Sequence, residues 1–377
     1  METIFGEGTF VGRVWREDVG GPALVALREG AVVDITSRQA PTMRDLLELD
    51  DPVGHARSAP GETLGSVADL VETGRSGPLR LLAPCDLQAI KACGVTFAGS
   101  MVERVIEERA AGDPHRAQAI RERIGAAIGA SLRDLVPGSA EAARVKAALI
   151  EEGLWSQYLE VGIGPDAEVF TKAQPMSAVG HGAEVGLHPI SQWNNPEPEV
   201  VLAVDGGGRI KGATLGNDVN LRDVEGRSAL LLGKAKDNNA ACAIGPFIRL
   251  FDDSYGLDEV RRAKLDLTVT GTDGFVLNGH SSMAEISRDP ADLVAQTCGA
   301  HHQYPDGFML FLGTLFAPTE DRDQPGEGFT HKLGDVVTIS NAELGALVNT
   351  VRLSTQCAPW TFGTAALMRN LAGRAML

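Results

Sequence analysis

The chain has 377 residues, 44% of them hydrophobic, with 50 acidic against 34 basic side chains and a formal charge of −16. That length suits a large core and about two domains of 100–200 residues, and the acid excess argues against a nucleic-acid partner, whose binders carry a basic excess. Five scattered cysteines with no Cys-x-x-Cys argue against a disulfide framework or a zinc site and point to a reducing compartment.

Met1 to Gly8 lacks the basic-then-apolar pattern of a signal peptide. Thr9–Trp15, Ala23–Leu27 and Ala31–Ile35 read as short strands, and the breaks Gly20-Gly21-Pro22 and Arg28-Glu29-Gly30 suit hairpins. Pro41–Leu49 reads as a short helix, and 52–78, rich in Gly, Ser and Pro, as a connector. Residues 1–80 thus predict a small β-rich N-terminal domain. Between 101 and 160 the chain turns rich in Ala, Glu and Arg, with apolar residues at helical spacing. Helices are predicted over Met101–Ala111, Pro114–Ala130 and Ala140–Glu152, an insert that shapes an entrance or a subunit contact. Ser100 stands where it would cap the first of these helices, with Glu103 as the matching capping-box glutamate.

Strand signals resume at Glu168–Lys172, Val200–Val204, Lys264–Thr270 and Asp335–Ser340. Asp205-Gly206-Gly207-Gly208 suits a hairpin turn. It lacks the G-x-G-x-x-G spacing and a following helix, so no dinucleotide site is expected. Asp321-x-Asp323 before Pro325-Gly326 lacks the rest of a calcium loop. The apolar run Phe308–Pro318 is too short for the ~20 residues of a membrane span. A soluble cytoplasmic protein with no membrane partner is predicted.

Asn195-Pro196-Glu197-Pro198-Glu199 carries the main chemical signal. Residues two apart share a strand face, so Glu197 and Glu199 aim at one point. Two anions that close call for a cation or a shared proton. Asp218 follows the next apolar run, which makes an oxygen-only set suited to Mg²⁺, with Mn²⁺ or Ca²⁺ possible. A solvated polar strand face would carry the same spacing. Lys236, after an apolar run, is a candidate to hold a carboxylate or to act as a base if its pKa is depressed. Arg222, four residues after Asp218, would orient that aspartate if the segment is helical, or would form an ordinary structural ion pair.

Leu81-Leu82-Ala83-Pro84, Gly94-Val95-Thr96-Phe97, Glu197-Pro198-Glu199, Asn217-Asp218 with Arg222-Asp223, Lys236 ahead of Gly245-Pro246, Gly279 with Met283, and Phe311-Leu312-Gly313-Thr314 follow one another in an order that resembles the fumarylacetoacetate hydrolase family over roughly 81–350. The resemblance implies an α+β, β-rich fold. Its parts are a mixed β-roll or sandwich catalytic domain over 81–377, a small β-rich N-terminal domain over 1–80 and a helical insertion at about 101–160. It implies Mg²⁺ held by Glu197, Glu199 and Asp218, with Lys236 as the active-site lysine and Thr314 as a substrate contact. Family hydrolases carry a histidine and a glutamate three residues apart to activate water. Here Ser100 stands at the histidine position and Glu103 at the glutamate position, which puts C–C hydrolysis in question.

A narrower resemblance, to the 2-keto-3-deoxy-pentonate dehydratases, rests on Gly153–Glu160, Trp193–Glu199, Lys234–Asn239, His302–Gly307 and Arg369–Arg374. It implies conversion of 2-keto-3-deoxy-D-xylonate or -D-arabinonate to 2,5-dioxopentanoate in pentose breakdown. The metal would act as a Lewis acid on the 2-oxo acid. Lys236 and Glu103 are then candidates for base and acid, in either order. Ser100, Thr314, Lys172 and Arg222 are candidates for substrate binding. A small sugar acid is the expected partner, and a homodimer or homotetramer the expected assembly. The alternatives are a C–C hydrolase or lyase acting on a 2,4-diketo acid or a 2-keto-3-deoxy hexonate, and a non-catalytic metal-binding protein.

Overall fold

Pro198–Val204 is buried at every position, and its β-branched run reads as a strand covered on both faces. The computed structural model describes residues 7–73, 79–121, 132, 135–314, 316, 318–323 and 328–377. In chain order the strands are β1 (Phe10–Arg16), β2 (Gly21–Arg28), β3 (Ala31–Asp34), β4 (Glu62–Ser66), β5 (Leu79–Leu82), β6 (Ala89–Gly94), β7 (Glu168–Ala173) and β8 (Glu184–Leu187). They continue with β9 (Pro198–Val204), β10 (Ile210–Asp218), β11 (Cys242–Leu250), β12 (Lys264–Thr270), β13 (Val276–Ser282), β14 (Phe308–Phe311), β15 (Val336–Asn341) and β16 (Gly345–Leu353).

Two sheets result among the described residues. The larger runs β4-β3-β2-β1-β11-β10-β9-β14-β6-β7, with β5 also paired to β1. The smaller runs β13-β12-β15-β16-β8. Pairing is antiparallel except for β14 with β6 and β16 with β8. The inner faces meet in one apolar core, where Val200, Leu202 and Leu215 pack with Leu267, Ile339 and Leu347.

The predicted border near residue 80 does not interrupt the larger sheet. β1 pairs with β11 through Phe10↔Arg249 and Val11↔Ile248, and β11 pairs with β10. The N-terminal hairpins therefore extend the sheet that carries the acidic motif. The predicted connector is also corrected over its described part. Residues 52–73 form helix Pro52–Ser58, β4 and helix Val67–Thr73. The first is started by Asp51, which accepts from the Gly54 amide, with Pro52 in the opening turn. Residues 74–78 lie outside the described residues.

The helical insert contains Ala98–Ala110, Pro114–Ile120, Ala140–Glu151 and, beyond the three helices expected, Gln157–Ile163. The 122–130 part of the predicted second helix lies outside the described residues. Asp113, Ser139 and Ser156 cap three of these helices by accepting from backbone amides. The capping role expected of Ser100 is not what the chain adopts. Helix Ala98–Ala110 starts earlier, with Phe97 in extended backbone at its cap, and the Ser100 hydroxyl donates back to Phe97 O at 2.9 Å. Glu103 accordingly lies beyond the first turn. Val95, Met101, Val105, Leu149, Leu159 and Ile163 fuse the insert into its own apolar cluster. The insert thereby lies against the end of β6 and brings one helix face to the acidic motif. Among the described residues, no helix is long and apolar enough to cross a membrane.

Candidate metal centre and its cavity

The register of β9 and β10 assembles the acids. Gly216 pairs with Glu199 and Asn217 with Pro198. Just beyond, the Asp218 amide donates to Glu197 O at 3.0 Å, and Asn195 and Asn220 exchange backbone hydrogen bonds. The prolines stand outside the ladder or at its first residue, where a missing N–H is tolerated. Asn217 Oδ1 accepts from the Glu197 amide at 3.2 Å and holds the motif flush. Glu197, Glu199 and Asp218 are all buried, and one carboxylate oxygen from each lies within 4.8 Å of the others.

Two lysines meet this triad. Lys236 ends the short helix Leu232–Lys236 and donates to Glu197 Oε2 at 2.6 Å and to Asp218 Oδ2 at 3.1 Å. Lys172, on β7, lies 2.6 Å from Asp218 Oδ1 and donates to the Val219 and Lys236 carbonyls. Two of its three donors thus go to backbone carbonyls, and the ammonium also forms an ion pair with Asp218. Glu199 is held from the far side by the Gly313 amide, at 2.6 Å from Oε2. Gly313 adopts φ +93°, and a Cβ there would meet Thr96 Oγ1 at 2.0 Å, so only glycine fits.

The cavity in front of the triad is lined by Cys93, Gly94, Val95, Ser100, Arg104, Glu168, Phe170, Glu225 and Thr314, together with the triad and Lys236. Ser100 and Arg104 face it from one side of helix Ala98–Ala110, one turn apart. Arg104 Nη2 donates to Glu197 Oε1. Its Nη1 meets Glu107 and lies 3.0 Å from Glu225 Oε2. About 20 Å³ remains for the centres of water-sized particles, and one water needs about 10–15 Å³. A larger depression of about 520 Å³ near Gly207, Leu257 and Cys298 is lined by no carboxylate or ammonium. The acids therefore mark the site better than size does.

The electrostatics separate the acids. Burial, then Asp218 and Glu197, push Glu199 well above the ordinary carboxylate range. Burial would also raise Asp218, but Lys172 and Lys236 outweigh it and hold Asp218 low. Glu168 is pushed up to about 7, first by burial and then by Glu225. Its carboxylate fills the place a side chain on Gly94 would take, with Oε2 1.9 Å from that ideal Cβ. Glu225 is raised by burial, which Arg104 and Lys236 only partly offset. The depressed pKa entertained for Lys236 is corrected. Burial alone would lower it, but Asp218 and Glu197 reverse the sign and keep it charged.

The structure thus brings Glu197, Glu199, Asp218, Lys236, Ser100 and Thr314 together. Lys172 touches Asp218 without lining the cavity. Glu103 and Arg222 sit elsewhere. Glu103 is clamped by Arg121 at 2.7 and 2.8 Å and approached by Arg222 at 3.2 Å. Arg222 stacks over Trp193, 4.3 Å from the ring centroid, and donates to Glu107 at 2.6 Å rather than meeting Asp218. Arg104, Glu168 and Glu225 were missed from sequence. The signals existed: Arg104 lies one helical turn after Ser100, and Glu168 shares alternate positions of β7 with Phe170 and Lys172.

Three oxygen-donating acids, convergent and buried, match what a hard divalent cation takes from a protein. Residues 163–352 match the signature described as fumarylacetoacetate (FAA) hydrolase C-terminal. The chain is 30% identical over 188 residues to the 2-dehydro-3-deoxy-D-arabinonate dehydratase of Saccharolobus solfataricus, covering 49% of this chain and 58% of that protein. It is 29% identical over 201 residues to a Haloferax volcanii protein named "Probable 2-keto-3-deoxyxylonate dehydratase", covering 53% of this chain and 65% of that one. These matches thus span about three-fifths of each relative's length. The fold is similar to a solved 2-keto-3-deoxy-D-arabinonate dehydratase complexed with magnesium and 2,5-dioxopentanoate. The TM-score is 0.65 at 21% identity, covering 91% of this chain and 99% of that one.

Proposed function

The chain belongs to the fumarylacetoacetate hydrolase family, and from that premise we propose that it is a metal-dependent hydro-lyase. Its reaction would be the conversion of 2-keto-3-deoxy-D-xylonate or 2-keto-3-deoxy-D-arabinonate to 2,5-dioxopentanoate. One observation carries this reading. Three buried carboxylates converge beside Lys236, while Ser100, its hydroxyl engaged with Phe97 O, stands where the family's hydrolases carry an imidazole. A serine so placed is no base for water at neutral pH, which favours elimination over C–C hydrolysis. The names of the two curated relatives support the same substrate class.

Glu197, Glu199 and Asp218 would hold Mg²⁺, with Mn²⁺ or Ca²⁺ as lesser choices. Once bound, the ion supplies Lewis-acid polarisation of a 2-oxo acid. The reaction needs a proton taken from C3, a hydroxyl released from C4, and a further proton shift that turns the C5 carbinol into the aldehyde. Glu168 is the acceptor we assign to C3. It faces the cavity, and a carboxyl raised to about 7 exchanges protons readily near neutral pH. Lys236, charged and pointing at the triad, is assigned as the donor that assists the departing hydroxyl. Ser100 and Thr314 are assigned to substrate hydroxyls, since both line the cavity. Lys172, paired with Asp218 and held by two backbone carbonyls, is assigned to fixing Asp218. Glu103 and Arg222 are assigned to anchoring the insert.

The test is product analysis. Purified protein with Mg²⁺ should form 2,5-dioxopentanoate from one or both pentonates, and EDTA should stop it reversibly. Turnover of a 2,4-diketo acid in place of both pentonates would favour C–C hydrolysis. Mg²⁺ uptake with no turnover of any of these acids would favour a non-catalytic metal binder.

A further inference from the structure

Both oxygens of Glu197 are already taken. Lys236 holds Oε2 and Arg104 holds Oε1. An ion entering the triad would compete with these cations for Glu197. Lys236 also touches Asp218, whereas Arg104 touches Glu197 alone of the three acids. Arg104 has a second set of partners that the ion would not disturb. Its Nη1 is paired with Glu107 and Glu225, and Glu107 is itself fixed by Arg222 at 2.6 Å. The Nη1 edge of the guanidinium is therefore anchored, and the Nη2 edge meets the triad. When Glu197 turns to an ion, Nη2 is left as a buried donor in need of an acceptor. A carboxylate matches it, by a charge-assisted hydrogen bond.

We propose that Arg104 is an exchangeable cation: it neutralises Glu197 until a divalent ion takes that carboxylate, and its Nη2 then binds the carboxylate of the 2-oxo acid. This rests on the assignment of Glu197, Glu199 and Asp218 as the ion's ligands. It gives the insert helix Ala98–Ala110 a part in recognition, since Ser100 lies one turn before Arg104 on the face that lines the cavity.

Calorimetric titration tests it. Mg²⁺ is titrated into wild type and Arg104→Gln, and pyruvate into each Mg²⁺-loaded protein, with folding checked by circular dichroism. Loss of the competing cation should tighten Mg²⁺ by about tenfold, and loss of the anchored donor should weaken pyruvate by about tenfold or more. Arg104→Lys covers the case in which the glutamine variant fails to fold. It should keep Mg²⁺ affinity near wild type and still weaken pyruvate, because an ammonium lacks the two-edged geometry. Mg²⁺ no tighter in Arg104→Gln, or pyruvate bound equally well by either variant, overturns the proposal. Failure of wild type to bind Mg²⁺ overturns the ligand assignment itself, and this inference with it.

Discussion

Asp335 and Glu199 are both buried carboxylates, and the protein treats them in opposite ways. Arg322 grips Asp335 at two points, 2.6 and 2.8 Å, and His331 and the Lys332 amide complete its shell. Burial would raise Asp335, but Arg322 and His331 outweigh it and hold it at about 2. Around Glu199, five carboxylates and two cations line one cavity, and burial with like charge drives Glu199 up. Burial of charge is thus a poor mark of function by itself. A matched pair is structure, whereas an acid surplus aimed into a cavity leaves room for a cation. Breaking a matched pair costs stability; neutralising a surplus acid costs binding and rate.

Four experiments break or sharpen that contrast. Glu199→Gln should lower turnover by about 10³-fold and abolish Mg²⁺ uptake in calorimetry, with the fold retained. Asp335→Asn should cost about 3–5 kcal/mol of stability, seen by chemical denaturation, with Mg²⁺ affinity unchanged; an equal loss of Mg²⁺ binding would erase the distinction. In wild type, the Asp335 contribution is present above the ordinary carboxylate range and lost as pH falls towards 2.

Glu168→Gln should lower kcat by about 10²-fold with Mg²⁺ still bound. The wild-type rate should rise with pH as Glu168, raised by burial, loses its proton. The stability sign is the reverse of that for Asp335. A carboxyl raised from 4.5 to about 7 favours the folded state when neutral, so its contribution is full below 4.5 and lost as pH rises through 7. At pH 8 the metal-free Glu168→Gln protein should therefore melt above wild type, by about 2–4 °C. The smallest effect is expected of Glu103→Gln. It loosens the contacts with Arg121 and Arg222, costing about 1 kcal/mol, with turnover changed less than about threefold. A large rate loss there would return Glu103 to the chemistry.

Much of the site is written into local spacing. The Glu197/Glu199 period and the strand pairing that delivers Asp218 follow from β-geometry, and Lys236 follows from the ordered motifs. What sequence could not supply was long-range. Glu168 and Arg104 reach the cavity only because β6 pairs with β7 and the insert helix follows β6 directly. The direction of the Lys236 shift depends on carboxylates 18 and 39 residues away. The joining of the N-terminal strands to the larger sheet was hidden for a related reason. Hairpin signals locate strands, but nothing local tells β1 that its neighbour is β11.

That pairing of β1 with β11 sets a practical limit on dissecting the molecule. A fragment starting at residue 81 would strip away the hairpins and leave the β11 backbone as a raw edge, one strand from the aspartate of the triad. Such an edge invites another chain to add to it. That fragment made alone should therefore clump, and a leading segment supplied in trans would have to restore a ladder, not merely cover a surface.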